Sequence, residues 1–260
     1  MKRRDLLTLA AAVPLGVRAQ VTDLPDAINK AGRQRMLSQR MAKAWLALVH
    51  QTETRLAQAT LDKSMALFDR QLVELKAFAP TPEIRATYNT LETAWSDYKT
   101  TLVGNAPAKS GAGAVLKADA NVLALAHQGT VQYEAVHGKP VGKLVNVAGR
   151  QRMLSQRMAK FGYALALQQD ATTALGEIDK ARAEFLAAMD LLHRAPEVTS
   201  RIRDELALAD GQWLFFDLAL QRVRTGSSEQ AKPLSDLYVT SENLLSVMDR
   251  VTGYCAALSA

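Results

Sequence analysis

The chain has 260 residues, 48% hydrophobic and 22% charged, with a formal net charge of +6 and one cysteine. That length accommodates one or two compact cores, and the lone Cys255 excludes an intrachain disulfide and a cysteine zinc cluster. The first nineteen residues hold Lys2, Arg3, Arg4 and Arg18 against Asp5, so the rest is only mildly basic: enough for a small anion, too little to imply nucleic acid.

In chain order, Met1-Lys2-Arg3-Arg4 forms a basic start, residues 6–16 a short apolar stretch, and Val17-Arg18-Ala19 a small-residue cleavage site before Gln20. This pattern predicts a cleaved export signal over 1–19, twin-arginine in type ahead of general secretory. The apolar stretch is shorter than the roughly twenty residues that span hydrocarbon. The expected product is soluble in the periplasm of a Gram-negative cell, with Cys255 a packed small side chain.

Alanine and leucine dominate and no alternating Val/Ile/Thr run suggests a sheet, so the predicted class is all-α. The first helix is expected over 24–61, interrupted or continued near Thr60, and the second over 63–78, where Pro80-Thr81-Pro82 breaks it. A third is predicted over 83–102, with Ile84, Tyr88, Leu91, Trp95, Tyr98 and Leu102 spaced by three and four to give one buried stripe. The Ala-, Pro- and Gly-rich stretch 104–113 reads as a loop, and a fourth helix as 115–136.

The second half repeats this plan. Phe68 corresponds to Phe185, Ile84 to Ile202, Trp95 to Trp213 and Asn121 to Asn243. Two tandem four-helix bundles are therefore expected, over 20–138 and 139–260, joined at Gly138-Lys139-Pro140. One core shared by eight helices is the alternative, and the sequence leaves both open.

The sharpest feature is AGRQRMLSQRMAK, which stands at residues 31–43 and again, letter for letter, at 148–160. On a helix, Leu37, Met41, Ala44 and Leu48 form an apolar stripe, as do Leu154, Met158, Phe161 and Leu165. Arg33 and Arg40, seven apart, share another face and are expected at the surface, whereas Arg35 points away from Arg33. A helical glycine costs about 1 kcal/mol relative to alanine, so Gly32 and Gly149 imply close helix approach or backbone exposed to a ligand. Arginine offers a planar fork of donors that matches planar oxyanions.

Ile28-Asn29-Lys30-Ala31-Gly32 followed by Arg35-Met36, Ser38 and Arg40 resembles the P-box of NarX-type nitrate and nitrite sensor domains. The fuller AGRQRMLSQRM form is similar to the PilJ-type domain, the N-terminal domain of type IV pili methyl-accepting chemotaxis transducers. The resemblance implies a four-helix sensor in which an arginine three residues after the P-box glycine grips nitrate at a dimer interface. Carried over by position, the anion-binding residues are Gly32, Arg35 and Met36 with Gly149, Arg152 and Met153. Two repeats within one chain would then supply what two subunits supply elsewhere.

The expected function is a periplasmic sensory protein binding nitrate or nitrite between the repeats. A membrane receptor or transporter is its candidate partner, an oligomer is compatible, and no cofactor, metal or nucleic acid is expected. The alternative is a helical interaction module whose arginine-rich helices dock an acidic protein or membrane surface. An enzyme is not expected: His50, His127, His137 and His193 lack metal-ligand spacing, and Glu53, Asp69 and Glu74 read as solvated helix positions.

Overall fold

The computed structural model describes residues 20–168, 170–226 and 231–258; the expected export signal at 1–19 lies outside them. The described residues form eight α-helices, one 3-10 turn at Lys109–Gly111 and no strand. The helices are α1 (Leu24–Val49), α2 (Thr54–Phe78), α3 (Pro82–Val103), α4 (Ala112–His137), α5 (Pro140–Ala166), α6 (Ala171–Arg194), α7 (Ser200–Arg224) and α8 (Ala231–Ala257). The fold is all-α and duplicated. No helix among the described residues is long and apolar enough to cross a membrane.

Local chemistry sets the helix starts. Asp23 caps α1 by accepting from the Asp26 amide at 2.8 Å, Thr81 caps α3 from Ile84, and Thr199 caps α7 from Ile202. Pro25, Pro82 and Pro140 sit in first turns, where a missing N–H is harmless. Gly138 ends α4 with φ 65, the left-handed conformation glycine adopts without strain.

The first helix is shorter than expected. It stops at Val49, and the turn through residues 50–53 uses Gln51 at φ 54 and Glu53 at φ 49. Its counterpart Gln168, in the turn after α5, has φ 57. No glycine or proline marks either turn, so propensity gave no signal there. The loop expected over 104–113 is shorter too, because α4 begins at Ala112.

Within each unit the first helix packs on the second and fourth, and the third packs on the fourth. Phe68 stacks on Trp95 with centroids 4.2 Å apart, and Phe185 on Trp213 at 4.4 Å, one aromatic pair per unit. The units meet through α1 and α5, the most extensive helix pairing in the molecule. One continuous hydrophobic cluster runs through both halves, including Cys255. The answer to the open alternative is therefore two four-helix units fused into one core. α1 and α5 are buried on nearly every side rather than along one stripe, because each touches helices of its own unit and of the other.

Candidate functional site

Where α1 and α5 pair, Ala31, Gly32, Ala148 and Gly149 are buried small residues. A Cβ on Gly32 would lie 3.1 Å from Arg35 Nη2 and 3.5 Å from Arg152 Nη2, so both guanidiniums converge on this glycine. Gly149 faces Arg152 Nη2 in the same way, at 3.1 Å. Arg35 and Arg152 have no solvent exposure. Met36 and Met153 are buried beside them at 4% exposure.

Each arginine reaches across to the other unit. Arg35 Nη2 donates to Asn146 Oδ1 at 2.7 Å, and Arg152 Nη2 donates to the Asn29 carbonyl at 3.0 Å; Asn29 and Asn146 are themselves equivalent in the repeat. The remaining contacts break the symmetry. Arg152 Nη1 pairs with the Asp249 carboxylate, which also takes Arg33 at 2.8 Å. Arg35 Nη1 instead lies 3.2 Å from His127 Nδ1. Asn146, which receives Arg35, donates in turn to Glu134. Both Nε atoms are buried without a hydrogen-bond partner among the described residues.

The electrostatics follow from this geometry. Burial, then Arg150 and Arg152, lower the Arg35 pKa to about 9; burial lowers that of Arg152 to about 10 against the opposing pull of Asp249. Both stay cationic at neutral pH. His127 is pushed down by burial and by Arg35 and Arg150, which keeps it neutral and makes Nδ1 an acceptor for the arginine.

A second buried pair lies further along the motif. Lys43 donates to Ser241 Oγ at 2.8 Å and Glu242 at 2.6 Å, while its repeat partner Lys160 reaches Asp119. Gln39 joins Asp119 at 2.6 Å. Each lysine thus ties the motif helix of one unit to the fourth helix of the other.

Several expectations need correction. Arg33 and Arg40 are not free surface arginines: they pair with Asp249 and Glu242, at 20% and 23% side-chain exposure. Glu74 is not solvated; its side chain is 10% exposed and pairs with Lys30 at 2.9 Å. On the two motif helices Arg40, Arg150 and Arg157 each pair with a carboxylate of the chain. Sequence reasoning missed His127, Asn146, Lys43 and Lys160. The lysines carried a signal, because an ordinary surface lysine had no reason to stand at the same place in both copies.

The described residues thus form a duplicated all-helical domain with cationic side chains sealed into its central seam. The family model for the type IV pili methyl-accepting chemotaxis transducer N-terminal domain, PilJ, matches residues 19–127 and again 138–247, and the chain belongs to this family. No curated protein and no solved structure gave a significant match.

Proposed function

We propose that the protein is a periplasmic sensory module that binds one nitrate or nitrite at the α1–α5 seam and acts through a membrane receptor or transporter. The observation that carries this is Arg35: a guanidinium with no exposure, beside a second one, and with no carboxylate partner among the described residues. Two adjacent cations in a dry seam repel. A small planar anion turns that repulsion into charge-assisted hydrogen bonds and uses the free Nε donors. An anion that favours the closed seam shifts the population towards it, which is a route to signalling without catalysis.

Calorimetry with nitrate, nitrite, chloride, sulfate and phosphate tests the reading. Nitrate or nitrite is expected to bind at one per chain. Arg35→Ala should lower affinity roughly ten- to a hundredfold, the loss of one contact of about 1.5–3 kcal/mol, and Arg35→Lys should weaken it because the fork is lost. Arg152→Ala should cost less affinity, since Asp249 already neutralises that arm. Binding by none of the five anions sinks the reading.

A second reading has its own observation. Leu208, Leu214, Phe215 and Leu218 on α7 are 55%, 70%, 62% and 52% exposed and lie along one outward face. Such a patch suits a protein partner. If no anion binds, docking through α7 replaces sensing as the function.

A further inference from the structure

The fourth helices of the two units, α4 and α8, correspond at a fixed register. Asn121 matches Asn243, and Thr130 and Thr252 each donate at 2.7 Å to the carbonyl four residues earlier. In this register Ala120 stands where Glu242 stands, and His127 where Asp249 stands. On the α8 flank those two carboxylates close the site by pairing with Arg40, Lys43, Arg33 and Arg152. The α4 flank keeps one such pair, Lys160 with Asp119, but among the described residues no α4 carboxylate pairs with an arginine of the motif. Arg150 and Arg157 turn away to Glu184 and Glu177 of α6, and Arg35 keeps neutral partners.

A cleft of about 240 Å³ opens on that flank between α4, α5 and α6, reaching Arg35 and His127. At about 30 Å³ per water, it has room for several more heavy atoms than nitrate's four. Arg35 and His127 lie at its α4 side, Leu123, Met153 and Leu154 give it an apolar wall, and Arg150, Arg157, Lys180 and Glu184 add a charged, net-basic lining. An inorganic oxyanion satisfies the cations and leaves the apolar wall wet.

We propose that this cleft binds a small organic monocarboxylate, with the carboxylate on Arg35 and a short apolar body against Leu123, Met153 and Leu154. The proposal shares Arg35 with the nitrate reading but does not need nitrate; the two ligands would compete. Each methylene that enters should raise affinity roughly fourfold, until the chain outgrows the cleft. Ala120 and His127 are specificity-determining, because they leave open what Glu242 and Asp249 close.

The test is calorimetry on the purified protein with straight-chain monocarboxylates from formate to hexanoate, with nitrate titrated separately and as competitor. Affinity is expected to climb along the series and then fall. Ala120→Glu and His127→Asp should each reduce it at least tenfold, since each recreates an arrangement the chain already tolerates on its other flank. Ala124→Trp, at an exposed position on the cleft rim, should weaken the longer acids more than formate. Absence of carboxylate binding, affinity that is flat along the series, or indifference to Ala120→Glu and Ala124→Trp overturns the proposal. Nitrate binding without carboxylate binding removes this inference alone; carboxylate binding without nitrate binding removes nitrate as the ligand and keeps the cleft.

Discussion

Two residues at equivalent places, Asp249 and His127, decide how the duplicated arginines differ. Asp249 is the counter-charge of a fully buried guanidinium, so Asp249→Asn should destabilise the fold by about 2 kcal/mol, between a screened pair and a fully buried one, because Asp249 is itself 43% exposed. A shift in urea midpoint at unchanged slope measures it. Acid sensitivity belongs to the same scale. Burial pushes Glu242 up, but Lys43 and Arg40 outweigh it and hold its pKa at about 2, against an ordinary 4.5. The folded value is the lower one, so its stabilisation is complete above about pH 4.5 and is lost as pH falls towards 2. Unfolding followed from pH 6 to 2 should show that loss, and Glu242→Gln should flatten it while lowering stability at neutral pH.

Glycines separate crowded helix seams from open ones at the level of elements. A Cβ on Gly129 of α4 would lie 2.8 Å from the buried Tyr88 ring of α3, whereas one on Gly176 of α6 meets nothing within 4 Å. Overpacking costs about 1–3 kcal/mol and the gain in helix propensity returns about 1. Gly129→Ala is therefore expected to lower the melting temperature and Gly176→Ala to raise it slightly. The opposite order in a thermal melt contradicts the packing described here. The third-helix stripe was legible in sequence because Ile84, Tyr88, Leu91, Trp95, Tyr98 and Leu102 face one core; all six are buried. The turn at residues 50–53 was not, because its left-handed residues are glutamine and glutamate.

For the whole molecule, the α1–α5 seam makes one cooperative body from two units. A single unfolding transition, coincident by circular dichroism and calorimetry, is expected. Either half expressed alone would expose its side of the seam and leave Lys43 or Lys160 without its partner from the other half, so neither should fold stably. Independent folding of residues 20–138 would show that the seam is dispensable. Limited proteolysis should cut first in the exposed segment 104–108, where no helix protects the backbone.

The sequence by itself determined the helical class and the duplication, and its repeated motif singled out Gly32, Arg35, Gly149 and Arg152 as candidates. Helix periodicity and an internal repeat are local patterns, visible without knowing what packs on what. Tertiary structure decided that the units fuse through α1 and α5, that Arg33 and Arg40 are paired, and that Arg35 and Arg152 have unlike partners. Arg33 and Arg40 find their partners 216 and 202 residues away, and Arg35 and Arg152 theirs 92 and 97 away, and burial and charge pairing become visible only when such distant helices meet.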